Sequence, residues 1–156
     1  MRALYIRLRN RAFHVLFLLT RPMTLGARVM LFNDAGEICL IKHGYVEGWQ
    51  LPGGGVDAGE TIEAAAAREL AEEAGFKPAG PMSLFAVYKN AKASKRDHVA
   101  LYICRSAEPV DGFKIDGHEI IACRFFSNNA LPDDVTGSTK RRIDEVAGNI
   151  AVNSYW

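Results

Sequence analysis

The 156-residue chain carries no excess of charge of either sign: 19 lysines and arginines face 18 aspartates and glutamates, for a formal net charge of +1. Such a balance gives no general attraction to DNA or to an anionic membrane, so any basic site must be local. Cysteine is scarce. The three residues Cys39, Cys104 and Cys123 form no C-x-x-C pair and show no metal-ligand spacing, which argues against a disulfide scaffold or a zinc site. All three sit in apolar runs and read as buried, reduced thiols, which favours a reducing compartment, the cytoplasm. Long hydrophobic runs are missing too. The stretch AFHVLFLL at 12–19 is interrupted by His14, short for the apolar part of a signal peptide and far too short to span a bilayer. No internal repeat, low-complexity tract or linker divides the chain, and its length suits one domain of ordinary size.

What the sequence does have is one acid-rich stretch, GGVDAGETIEAAAARELAEEAGF at 54–76. Thr61 is suited to cap a helix N-terminus, the alanines at 64–67 have the best helix propensity available, and Gly75 falls where a helix commonly ends on a left-handed residue. On a regular helix Glu69 and Glu73 are i, i+4 neighbours and Glu72 flanks them, so three carboxylates share one face. Like charges at that spacing destabilise a bare helix by roughly 0.2 to 0.5 kcal/mol per pair. Arg68 supplies one compensating charge, which is not enough for three acids. A hard divalent cation with oxygen ligands, Mg²⁺ or Mn²⁺ in its place, is the natural remainder.

The spacing of the whole stretch is G-x5-E-x7-R-E-U-x-E-E-x-G-U, with U a bulky apolar residue. It is filled by Gly54, Glu60, Arg68, Glu69, Leu70, Glu72, Glu73, Gly75 and Phe76. This pattern resembles the signature of the Nudix hydrolases. The resemblance implies an α/β fold in which a mixed, curved sheet is sandwiched between helices (α/β/α), and an enzyme that cleaves a diphosphate linkage by water attack at phosphorus. It implies metal ligation by Glu69, Glu72 and Glu73, with the Gly54 carbonyl joining the shell. Glu60 and Gly75 support the motif, and Arg68 orients a carboxylate. In the family a glutamate before an E-x4-R-F-F-like run completes a second metal site or acts as general base. Glu119 stands in that place, and either Glu69 or Glu119 would take the proton of the attacking water.

Along the chain, residues 1–23, basic and then apolar, are expected to form an N-terminal extension packed on the domain and ended by Pro22. A membrane-surface or homodimer contact is the alternative for that segment. Residues 24–156 are expected to form a single domain. The β-rich runs at 26–32 and 37–43 flank the turn Asn33-Asp34-Ala35-Gly36 and read together as a hairpin. Tyr45 and Trp49 border the approach to Gly53-Gly54-Gly55. They either stack on a base or, for Trp49, cap the core beneath the loop. No Gly-Lys-Ser/Thr follows the glycines, so a Walker-type phosphate loop is excluded.

Further strands are expected at 83–90, 98–105 and 118–127, and a helix from about residue 138 to 147. The loop carrying Lys92, Lys95 and Arg96 is a solvated hairpin tip or a positive rim over a polyanionic substrate. The tail NIAVNSYW is expected to fold back on an apolar surface. The default substrate is a nucleoside or deoxynucleoside triphosphate. ADP-ribose or a nucleotide sugar, the 5′ end of an RNA, and a non-catalytic nucleotide-sensing module are the alternatives.

Overall fold

A computed structural model describes residues 23–156; all of the expected packed extension 1–23 except its last residue lies outside them. Among the described residues there are eight strands, β1 Thr24–Leu31, β2 Ile38–His43, β3 Trp49–Gln50, β4 Phe76–Pro78, β5 Ser83–Lys89, β6 Asp97–Cys104, β7 Ala107–Pro109 and β8 Ile120–Phe126. Among them also are two α-helices, α1 Ile62–Glu69 and α2 Gly137–Val146. The strands form two three-stranded sheets, ordered β1-β6-β5 and β3-β2-β8, and a small β4-β7 pair.

The alternation of side chains along β1 and β2 decides how these parts stack. Ala27, Val29 and Leu31 of β1 and Cys39 and Ile41 of β2 join one core cluster with Ala65, Ala66 and Leu70 of the helix. Met30 of β1 and Ile38 and Leu40 of β2 join a second cluster with Ile143 of α2. Successive residues of a strand point to opposite faces, so both sheets bury both faces and lie as one layer between α1 and α2.

One local expectation is corrected. Runs 26–32 and 37–43 do not make a hairpin ladder, because β1 pairs in parallel with β6 from Thr24↔Asp97 to Leu31↔Cys104. β2 instead pairs antiparallel with β3 and β8. A single bridge, Phe32↔Ile38, links the ends of the two runs beside the Asn33 turn. Composition explains the split. Both runs are apolar on both faces, as central strands require, and a two-stranded ribbon would leave one of those faces in water.

The edge of β1 that β6 leaves free is covered by the glycine loop. Val29 N–H donates to the Pro52 carbonyl, Ala27 N–H to the Gly54 carbonyl, and Val56 N–H to the Leu25 carbonyl, each at 2.9 Å. The loop then enters α1, where the Thr61 hydroxyl accepts from Ala64 N–H. The helix does not end at Glu69. It continues through a π-helical turn, Leu70–Ala74, and stops at Gly75, whose φ of 73° is the left-handed conformation glycine adopts without strain.

Candidate active site

The π-helical turn changes how the acids are presented. A π turn holds more residues than an α turn, and Glu69, Glu72 and Glu73 reach the one cavity they line from different depths. Their side chains are 14%, 60% and 8% exposed. Glu73 points inward, and its Oε2 accepts the Gly53 N–H at 2.6 Å. Glu72 points outward. Glu69 faces the glycine loop at Gly54, where any Cβ would collide with the Glu69 carboxylate. A side chain there would push the Glu69 carboxylate aside. The Gly54 carbonyl already accepts the Ala27 N–H, which leaves it one lone pair.

Arg68 is the hub of the outer acids. Its guanidinium donates to Glu60 Oε1 at 3.1 Å, Glu69 Oε1 at 2.8 Å, Glu72 Oε2 at 3.2 Å and the Gly55 carbonyl at 3.1 Å. The bond from Arg68 holds the Glu60 carboxyl below the usual range, and Glu60 and Glu69 in turn raise the Arg68 pKa.

The inner wall holds residues that the sequence reading did not select. His43 follows Cys39 and Ile41 in the alternation of β2, so it faces the helix, and its Nε2 lies 3.7 Å from Glu73 Oε1. Burial lifts the Glu73 carboxyl to about 7, only partly opposed by the Gly53 N–H and the charge of Arg28. Burial also lowers the His43 pKa, and the charge of Arg28 adds to that. Both shifts favour the uncharged form of each group. Arg28 lies on β1 and donates to the Leu51 carbonyl at 3.1 Å. A charged residue amid Ala27, Val29 and Met30 is the signal that could have found it.

Glu119 sits on the far side of a cavity of about 210 Å³ lined by Glu69, Glu72, Glu73, Phe113, Lys114, Asp116 and Glu119. Asp116 fixes that corner by accepting the N–H groups of His118, Glu119 and Ile120 at 2.9, 3.0 and 3.1 Å. Those bonds, His118's first, hold its carboxyl below the usual range. The Glu119 carbonyl accepts the Gly44 N–H, tying the corner to the end of β2. A larger cavity, about 320 Å³ between Gly80 and Ser106, is lined by no carboxylate.

The aromatic and basic candidates separate. Trp49 is only 7% exposed and stacks edge-on against Phe126, 4.8 Å between centroids, so it belongs to the core and offers no open face for a base. Tyr45 is 69% exposed and lies 5.2 Å from the His43 ring. Lys92, Lys95 and Arg96 are exposed on the β5–β6 turn and do not line the acidic cavity.

The donor set fits a hard divalent cation in its chemistry: carboxylate oxygens, one of them buried and costly to ionise alone, beside backbone carbonyls. Among the described residues no three acidic, histidine or cysteine side chains converge as ligands. Arg68 instead holds two of the acids, Glu69 and Glu72. Cation binding therefore requires these carboxylates to exchange partners.

A model of the NUDIX domain matches residues 22–146, and the chain belongs to this family. A Bacillus subtilis (strain 168) protein named "Putative 8-oxo-dGTP diphosphatase" is 33% identical over 122 residues, 78% of each chain. An RNA pyrophosphohydrolase of Rhodospirillum rubrum is 42% identical over 59 residues, 37% of this chain and 36% of its own. The crystal structure of a MutT NUDIX hydrolase from Burkholderia pseudomallei superposes with a TM-score of 0.66 at 27% identity, covering 79% of this chain and 97% of that one. Within the family the protein is a pyrophosphohydrolase that acts on phosphorus-containing anhydrides, and Nudix hydrolases generally need a divalent metal. No helix among the described residues is long and apolar enough to cross a membrane.

Proposed function

We propose that the protein hydrolyses a nucleoside or deoxynucleoside triphosphate, with Mg²⁺ as the cation and water attacking phosphorus, in the cytoplasm. The observation that carries this reading is the acidic cavity itself: Glu69, Glu72 and Glu73 on one wall and Glu119 on the other. Similarity to the Bacillus subtilis protein supports a free nucleotide as substrate, since it spans most of both chains.

Glu69, Glu72 and Glu73 would hold the cation, which supplies charge neutralisation on the phosphates and a more acidic water. Glu73 gives up the proton that burial lets it keep near neutral pH. Arg68 bonds both Glu69 and Glu72, and its bond to Glu60 would keep it anchored if those two carboxylates hold the cation. Glu119 takes the proton of the attacking water. In favour of Glu119 over Glu69, its carboxylate is in no ion pair among the described residues, whereas Glu69 is paired with Arg68.

The test is metal-dependent turnover over a panel of dNTPs, 8-oxo-dGTP, ADP-ribose, nucleotide sugars and 5′-triphosphate RNA, with products identified by chromatography. Turnover of a triphosphate with Mg²⁺ is expected. Selective turnover of the RNA or of ADP-ribose would overturn the substrate. Glu119→Gln should lose about 10² to 10⁴ in kcat if it is the base; a larger loss in Glu69→Gln with Glu119→Gln near wild type would reassign the proton.

A further inference from the structure

We propose that Arg28 binds the phosphate chain of the substrate, gripping a phosphate that the glutamate-held cation does not. The assignment rests on the reading of the protein as a hydrolase of a polyphosphorylated nucleotide. Three arginines show the contrast that supports it. Arg68 is bonded to three glutamates and a carbonyl. Arg142 is fully buried and bonded to Glu145 and the Tyr155 carbonyl. Arg28 donates once, to the Leu51 carbonyl, and forms no ion pair among the described residues. An arginine kept merely to balance nearby acids would be paired as Arg68 is.

Its position suits a substrate contact. Gly53 separates it from Glu73: the Gly53 N–H binds the Glu73 carboxylate, and a Cβ on Gly53 would come within 2.8 Å of the Arg28 Cα. By the alternation of β1, Arg28 shares a face with Met30, while Ala27 and Val29 go to the helix. The guanidinium bonds the Leu51 carbonyl at the start of the glycine loop, close enough to feel the charges of Glu73, Glu69, Tyr45 and Asp97. His43, only 7% exposed, feels the charge of Arg28, and its Nδ1 has no hydrogen-bond partner. The remaining N–H donors of Arg28 are uncommitted among the described residues, and its planar fork suits two oxygens of one phosphate.

The experiment is calorimetric binding of inorganic tripolyphosphate to the full chain with Ca²⁺ present, for wild type, Arg28→Gln and Arg28→Lys. Mn²⁺ affinity is followed by electron paramagnetic resonance and folding by thermal melts. Arg28→Gln should weaken tripolyphosphate by about tenfold or more and leave Mn²⁺ affinity within about twofold, with partial recovery in Arg28→Lys. If Arg28→Gln fails to fold, Arg28→Lys carries the test and should still bind the anion more weakly than wild type. Equal tripolyphosphate affinity in the folded variants, no binding by wild type, or a parallel loss of Mn²⁺ would overturn the proposal. Arg28-dependent binding without turnover of any nucleotide would leave it standing and sink the hydrolase reading. Turnover with KM unchanged in Arg28→Gln would do the reverse.

Discussion

Two groups of charged side chains lie at least partly buried in this molecule, and they are finished to different degrees. On the α2 side, Glu145 accepts from Arg142 at 2.6 Å, from the Tyr88 hydroxyl at 2.8 Å and from the Asn153 N–H at 3.0 Å. The Arg142 guanidinium lies 4.1 Å over the Tyr88 ring and 5.4 Å over that of Trp156. The chain end closes the group by pairing with the edge of β5, Lys89 N–H to the Ser154 carbonyl and Trp156 N–H to the Lys89 carbonyl. Among these polar atoms, Arg142 Nε alone is buried without a partner. On the α1 side, Glu73 has one backbone donor and a distant histidine, Glu119 has no ion pair among the described residues, and Arg28 has one bond. Polar groups that hold a fold are satisfied within it. Groups left partly satisfied at a cavity are those a ligand can complete.

The two groups should therefore fail in different ways. Glu73→Gln keeps the shape and the capacity to accept from Gly53, so the protein should fold, but kcat should fall by on the order of 10³. Circular dichroism beside a turnover assay checks this, and near-wild-type turnover would remove Glu73 from the reaction. Arg142→Met is the mirror image. Removing one partner of a fully buried pair leaves Glu145 uncompensated and should lose roughly 3 to 5 kcal/mol in denaturant unfolding. Turnover per folded molecule should stay the same. A loss of activity at full stability would mean that the chain end serves the site.

Acidity sharpens the contrast. The folded Glu73 carboxyl titrates near 7, above its ordinary 4.5, so the folded state holds this proton more tightly than the unfolded chain. The Glu73 contribution is then most favourable below about pH 4.5, falls as pH rises to about 7, and is flat beyond, a difference of roughly 3 kcal/mol. Unfolding curves of the metal-free protein and of Glu73→Gln, compared from pH 5 to 8, should diverge in that direction. Carboxylates such as Asp116 and Asp144, held below their usual range, change stability in the opposite sense at lower pH and cancel in the difference. Mg²⁺ should stabilise the wild type more at pH 8 than at pH 5.5, because it meets Glu73 already ionised. Parallel curves would show that Glu73 is not buried as described.

Much of this was legible in the residues. The Thr61 cap, the alanine run and the Gly75 stop delimit the helix because each acts locally. The signature spacing fixes the family for the same reason. The five longer strands show in their apolar pattern, but the short β3, β4 and β7 do not, and neither do the pairings. β1 and β2 look like a hairpin until β6, some 70 residues later, is seen to take the parallel place beside β1. The π-helical turn has no sequence signal of its own, so the outward Glu72 and inward Glu73 could not be told apart. Trp49 was ambiguous until Phe126 of β8 was found packed on it. The tail was expected to cover an apolar surface, and it does so in part through Trp156. It also seals Arg142 and Glu145, a pairing visible only once α2 and β5 are brought together.

The finest division runs within the glycine loop. A Cβ on Gly54 would collide with the Glu69 carboxylate, whereas one on Gly55 would meet nothing within 4 Å. Neither residue has a positive φ, so alanine is tolerated by the backbone at both. Gly54→Ala should act only by displacing Glu69, lowering kcat by about tenfold, with stability changed by no more than about 1 kcal/mol. Gly55→Ala should be close to wild type in both. Equal effects at the two positions would mean that loop stiffness, rather than the space beside Glu69, is what the glycines supply. A loss confined to Gly54→Ala would tie turnover to the position of one carboxylate.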